Sequence, residues 1–467
     1  MRVNAFELFL KQKRFDLIFK YLYIKNKDKH VGFYEDLYVE HIRAFNNFHE
    51  IVPSDGIPKE SKEDFVKSFN RLYENMSRNG FNKSDGVIPI GDNGEIQDGA
   101  HRLACAAVLG LDVDIEPRHT NWLWDYKFFQ DQAINPDYAD YAALEYVKLN
   151  PNAYIVNLQP VIQKKYDQQV EKILEKYGFI YYKKDIKITF NGLVNLKKLS
   201  YGSFWENNCC WIGTPEDCFA GAVHHAKKSF GWRTLRAYVF VCKNFQDVIA
   251  AKAEIRALFN IGNFCVHIND THEEAVALAQ AYFNKNSLHM INKRPYNYED
   301  KHFDAMVDEL RNTIIEHHID IDEVCGAGST PLDIYGVRSS KDLDFLYCGE
   351  QDFDIQTGTL SNHDSELLYY PASKKDIVLI PENYFYYKGL KFITLQVLYD
   401  MKRKRREIPK DVADCKRIRK IWKPKKQHIW NSKIYKEIKE GKKQTLISFN
   451  LIKKVQQLLR IKNKNTV

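Results

Sequence analysis

The spacing of apolar positions changes along the chain, and each change marks an element. In "ESKEDFVKSFNRLYENMSRNGF" Phe65, Phe69 and Leu72 recur at three- and four-residue steps. That predicts an amphipathic helix, with Gly80 as its stop. "GVIPIGDNGEIQDGAHRLACAAVLGLDVDIEP" then reads as a strand, a turn at Asp92-Asn93-Gly94, a short strand, a helix from about Ala100 and a strand from Val113. From His119 to Pro295, strands ("LRAYVFVCK", "NFCVHIND") mix with helices ("DVIAAKAEIRALF", "THEEAVALAQAYFN"). Thr271 and Glu274 have the spacing of a capping box, and "NKRPYNYED" reads as a linker. From Lys301 the pattern gives an amphipathic helix, a strand over Asp322–Ala327, a glycine-serine turn and a strand through Phe345. Further strands are expected in "KKDIVLIP" and "YFYYKGLKF", and helices in "ITLQVLYDMKRKRRE" and "KDVADCKRIRKIW". The expectation is a multidomain α/β (mixed α+β) chain divided at 1–118, 119–295, 301–425 and a basic tail, 426–467.

A length of 467 residues with 44% hydrophobic content supports several ordinary cores and excludes wholesale disorder. The nine cysteines are scattered with no CxxC pair, which argues against a disulfide framework or a zinc site and for a reducing, cytoplasmic setting. The charged start "MRVNAFELFLKQKRFDLIF" does not fit a signal peptide, and no apolar window is long enough for a transmembrane helix. The net charge of +8 is unevenly placed: residues 401–467 carry 23 Lys+Arg against 5 Asp+Glu, so the preceding 400 are net acidic. The tail is therefore the part expected to meet anions.

One stretch carries specific chemistry. In "CGAGSTPLDIYGVRSSKDLDFLY" Asp342 and Asp344 alternate with Leu343 and Phe345, so a strand would put both acids on one face, about 6–7 Å apart. Two carboxylates so placed suit a hard dication, Mg²⁺ or Mn²⁺. Upstream, Gly328-Ser329 opens a turn into a helix, where backbone N–H groups and the serine hydroxyl suit phosphate oxygens.

This Gly-Ser turn followed by "DLD", with "YGVR" between, resembles the polymerase-beta-type nucleotidyltransferase superfamily, and within it the phosphocholine-transferase-like proteins of surface-polysaccharide synthesis. The resemblance covers roughly 301–422. It implies Gly328 and Ser329 at the phosphates of a nucleoside triphosphate substrate, Asp342 and Asp344 on the metal, and Arg338 as a phosphate clamp. It also implies a third carboxylate, for which Asp376 is chosen over Asp352 and Asp354. Lys410, Asp411 and Asp414 match a "KD-x-x-D" run in the closing helices of such proteins. The implied activity is transfer of a nucleotidyl or substituted-phosphate group to a sugar or polyol, in capsule or lipopolysaccharide assembly.

A second stretch, "GEIQDGAHRLACAAVLG", resembles the ParB/sulfiredoxin superfamily over Gly86–Arg118. The resemblance implies Asp98, Gly99, His101 and Arg102 at nucleotide phosphate, Glu95 as a base, and an ATP-dependent kinase activity in this part of the chain. Sulfiredoxin chemistry is excluded, because Ala100 stands where its cysteine would be. Elsewhere, His224-His225, Lys227-Lys228, the Lys252/Arg256 pair at i, i+4 and the strand-end "HIND" are reactive types without diagnostic metal spacing. The tail, with Leu446, Phe449, Ile452, Val455 and Leu459 among lysines, reads as a helix for an anionic inner-membrane surface, for nucleic acid or for docking on its own domain. The leading function is metal-dependent group transfer. The alternatives are a kinase acting through the DGAHR segment alone and a nucleic-acid-binding regulator.

Overall fold

The computed structural model describes residues 1–49, 58–82, 86–202, 211–406 and 409–422; the basic tail lies outside them. The chain is mixed α/β, with three small sheets built from successive stretches of sequence. The first sheet takes β1 (Arg2–Asn4), β2 (Ile88–Ile90) and β3 (Asp112–Pro117) in the order β1-β3-β2. β1 runs antiparallel to β3, and β2 parallel to it. The second takes β4 (Ala153–Leu158), β5 (Phe179–Lys187), β6 (Thr234–Val241) and β7 (Val266–Ile268) in the order β5-β6-β4-β7, all antiparallel. The third is mixed: β8 (Val324–Gly326), β9 (Leu343–Tyr347), β10 (Leu360–Asn362), β11 (Tyr384–Tyr387) and β12 (Leu390–Ile393), ordered β10-β9-β8-β12-β11.

Local chemistry fixes many of the element ends. Ser61 and Asp64 form a reciprocal capping box for the helix Lys62–Asn79, which ends at Gly80 and buries Phe65, Phe69 and Met76. Thr271 accepts the Glu274 N–H as expected, but the Glu274 carboxylate does not close the box on Thr271: it bonds His267 at 2.6 Å and the Asp270 N–H at 3.1 Å. The short strand foreseen after the Asp92–Gly94 turn is a single bridge, Ile90 to Ile96.

Two expectations fail, and the strands expected in "YFYYKGLKF" are found as a pair. "KKDIVLIP" is the helix Lys374–Leu379 rather than a strand, because Ser373 caps the Asp376 N–H at 3.1 Å and starts a helical turn before the apolar run. "YFYYKGLKF" is a hairpin, β11 to β12, turned by Lys388 and Gly389 at φ 49° and 81°. The supposed linker is packed. Arg294 is buried and donates to the Ile334 carbonyl at 2.5 Å, and its own carbonyl accepts from Asn191 and Asn195.

Buried side chains run as one cluster through all three sheets. Phe15, just before the helix Asp16–Asn26, stacks on Tyr182 of β5 with centroids 5.4 Å apart, and the Tyr146 hydroxyl donates to the Leu10 carbonyl. No helix among the described residues is long and apolar enough to cross a membrane.

Candidate functional site

The turn after β8 is built around Asp344. The Ala327 N–H donates to the Asp344 carbonyl at 2.7 Å, which registers the turn on β9. Gly328 follows at φ +56°, and a Cβ there would lie 1.9 Å from Asp344 Oδ2. Glycine is required twice, for the left-handed backbone and for the approach of the carboxylate. Ser329 is half-buried and opens the five-residue helix Thr330–Ile334, whose Thr330 hydroxyl donates back to the Ala327 carbonyl. The returning loop is pinned by buried Asp333, which accepts from the Tyr298 hydroxyl at 2.9 Å and the Ser340 N–H at 2.6 Å.

β9 keeps the foreseen alternation: Leu343 and Phe345 are buried, Asp344 is half-buried, and Asp342, one residue before the strand, is exposed. Asp342 forms no hydrogen bond or ion pair among the described residues. Asp344 is held by partners that sequence reasoning missed. Ser361, its register partner on the parallel strand β10, donates to Oδ1 at 2.9 Å. His363 Nε2 lies 3.7 Å from Oδ2, while His363 Nδ1 meets the Tyr370 hydroxyl at 2.8 Å. That hydroxyl also accepts the Gly328 N–H, so a ring of contacts closes from turn to strand. Burial lowers the His363 pKa, against the raising effect of Asp344. No local spacing announces Ser361, His363 or Tyr370, since strand pairing and packing bring them in.

The third carboxylate does not assemble. Asp376 lies in the first turn of its helix, where Ser373 caps its N–H, with its pKa raised by burial, and Asp352 and Asp354 are exposed in the loop between β9 and β10. No group of three or more His, Cys, Asp or Glu side chains able to hold a metal ion occurs among the described residues. What remains is two carboxylates two positions apart, Asp344 with the Ser361 hydroxyl beside it and the exposed Asp342. That set fits a Mg²⁺-type ion which takes its other ligands from water and substrate phosphates.

Arg338, expected as a phosphate clamp, is engaged within the fold. Its guanidinium grips Asp414 with two bonds, Nε at 3.0 Å and a terminal nitrogen at 2.8 Å. Asp414 also meets Lys402 and Arg417, and Asp411 meets Lys402 and Arg405. Burial would raise the Asp414 pKa, but Arg338 and Lys402 outweigh it and hold it at about 2. The "KD-x-x-D" acids thus lock the helices Leu395–Arg405 and Pro409–Ile421 onto the loop before Asp342, while Lys410 is exposed.

At the DGAHR turn, Gly99 (φ +76°) starts the helix Ala100–Val108. Its N–H donates to the Asp98 carboxylate at 2.6 Å, and the Arg102 guanidinium lies 3.8 Å from Asp98. A Cβ on Gly86 or Gly99 would meet that guanidinium at 2.7 or 3.0 Å, so two left-handed glycines cradle it. His101 turns inward instead of toward a ligand. Its Nε2 meets the Tyr38 hydroxyl at 3.0 Å and its ring packs edge-on to Phe69 at 4.6 Å. Burial, then the charge of Lys20, keeps it neutral. Glu95 is no open base: it is buried, its Oε2 accepts the Lys13 N–H at 2.8 Å, and burial raises its pKa.

A cavity of about 1150 Å³ belongs to neither turn. It lies between the helix Phe190–Gly202, the helix Lys285–Lys293 and the β11–β12 hairpin, with Lys198, Arg294 and Tyr387 on its wall. No family model, curated protein or solved structure matches this chain.

Proposed function

We propose that the chain catalyses divalent-metal-dependent transfer of a nucleotidyl or substituted-phosphate group from a nucleotide to a sugar or polyol, at the turn formed by Gly328, Ser329, Asp342 and Asp344. The observation that carries this reading is the Asp344 carboxylate pressed against Gly328 of the glycine-serine turn, with the exposed Asp342 two residues before it. Mg²⁺ or Mn²⁺, when bound, would neutralise phosphate charge and orient the reacting phosphorus. Asp342 and Asp344 would hold that ion, and the Ser329 hydroxyl would meet a phosphate oxygen. Ser361 and His363 would keep Asp344 aimed. The acceptor hydroxyl forms the new O–P bond, the bond from phosphorus to the leaving phosphate breaks, and the hydroxyl proton passes to solvent or to the departing group. In this reading the protein works in bacterial surface-polysaccharide assembly on the cytoplasmic side of the membrane.

The cradle that Gly86 and Gly99 make for Arg102 favours a second reading, phosphate binding and kinase chemistry at the DGAHR turn. Mass spectrometry of sugar phosphates and polyols incubated with each nucleoside triphosphate and Mg²⁺ separates the two. Under the first reading Asp344→Asn loses about a hundredfold or more in rate and Arg102→Ala keeps the activity. The reverse pattern sinks it.

A further inference from the structure

The middle section holds a cluster that the proposed reaction does not use. The helix Phe190–Gly202 turns Asn195, Lys198 and Leu199 toward the large cavity, but Lys197 and Tyr201, one turn apart, face elsewhere. Around the Tyr201 ring stand His267 of β7 at 4.8 Å, His225 at 5.6 Å and Trp211 at 5.1 Å, centroid to centroid. The Lys197 ammonium lies 5.9 Å over the same ring, and His225 also packs on Trp211 and Phe264. Trp211 is part-exposed, so the cluster lies one ring below the surface.

Its hydrogen-bonding demand is unmet. Tyr201 Oη, His225 Nε2 and Arg256 Nε are buried with no hydrogen-bond partner among the described residues. The Ser229 hydroxyl sits 3.2 Å from His225 Nδ1; with that hydroxyl donating, Nε2 carries the hydrogen and points it inward. Lys197 is 2% exposed and has no acid partner among the described residues. Burial alone brings its pKa down to about 7. The nearby acids are already engaged: Glu274 by His267 and the Asp270 N–H, Asp270 by Lys252 at 3.0 Å. The charges of Lys197 and Arg256 converge here, Lys197 opposing protonation of the buried His225 and His267, and Arg256 acting on the Tyr201 hydroxyl. One orphaned donor is tolerable, but the donors of Lys197, Tyr201 and His225, from two helices around one ring, with the unpartnered Arg256 acting on the Tyr201 hydroxyl, call for an acceptor.

We propose that Lys197, Tyr201, His225 and Arg256 form an oxyanion site that takes a phosphate group, as inorganic phosphate or a phosphate monoester, separate from the Asp342–Asp344 turn. A phosphate suits the donors better than a carboxylate, because they arrive from different elements and do not lie in one plane, matching a tetrahedral acceptor with several oxygens. The proposal stands independently of the reaction proposed above.

Thermal unfolding of the full chain, titrated with inorganic phosphate, a hexose phosphate and acetate in metal-free buffer, tests it. The expected result is saturable stabilisation by both phosphates and none by acetate, and the tighter of the two names the source. In Lys197→Met and His225→Gln the apparent Kd rises about tenfold or more, whereas Asp344→Asn and Arg102→Ala behave as the parent. Because Lys197→Met removes a lone buried charge, it should fold at least as well as the parent, so a lost phosphate response is not a lost fold. The proposal is overturned if phosphate fails to stabilise the parent chain, if acetate works as well, or if Lys197→Met keeps the full response.

Discussion

Two buried lysines show how differently this chain treats charge. Lys402, 1% exposed, lies against Asp411 at 3.0 Å and Asp414 at 3.1 Å, and the surrounding Arg338, Arg405 and Arg417 share those acids. Lys197 is as deeply placed and, among the described residues, meets only an aromatic ring. The first arrangement is closed, with every charge answered within the fold, and it braces the loop that carries Asp342. The second is left open. A buried ion pair and a buried lone ion are both expensive to assemble, but only the lone ion gains from something arriving from outside. The contrast separates architecture from a candidate binding site more sharply than residue type does, since both regions are rich in the same side chains.

The comparison breaks most visibly under one substitution made twice. Lys402→Met should destabilise the protein by about 3 kcal/mol, because two buried carboxylates lose a shared counter-ion. Lys197→Met should stabilise it by about 1–2 kcal/mol, because a desolvated ammonium is replaced by an apolar chain of similar length. Urea midpoints of the two variants check both, and shifts of the same sign would erase the distinction.

Acid should attack the two regions in sequence. Burial, helped by Lys197, holds His225 at about 3, against 6.5 for an ordinary histidine. Between those values the unfolded chain binds a proton that the folded chain refuses. That share of stability is complete above pH 6.5 and drains as pH falls toward 3. Asp414 moves from 3.8 to about 2, so its share is complete above 3.8 and is lost only below it. Urea denaturation across this range should show the earlier loss, and His225→Gln should lessen it without touching the later one. The smallest effect belongs to Lys410→Ala: an exposed member of the "KD-x-x-D" run should shift stability by no more than about 0.5 kcal/mol, in contrast to its two aspartate neighbours.

Much of the fold was legible where one short segment carries the whole instruction. Ser61 with Asp64, Gly80, and the alternation through Leu343 and Phe345 each act within a few residues. The errors arose where a local signal was overridden or incomplete. The apolar run after Asp376 suggested a strand, but the Ser373 cap three residues earlier commits the backbone to a helix. The strands of "YFYYKGLKF" were legible, but not their pairing, because the turn at Lys388-Gly389 lacks the asparagine or aspartate that usually marks a hairpin. At the site, sequence pattern located Asp344 but not Ser361, His363 or Tyr370, and it made Arg338 a ligand group because Asp414, its partner, lies 76 positions away. Likewise, His225, Lys252, Arg256 and His267 stood out as reactive types, yet only packing shows that Tyr201 gathers the two histidines.

The stacking of Phe15 on Tyr182 bears on how the protein can be divided. Cutting near residue 118 would strip one aromatic layer from another and bare Phe9, Phe15 and Phe19 on one fragment and Tyr146 and Tyr181 on the other. Fragments made at that border should be sticky and poorly folded when expressed alone, and should recover when mixed.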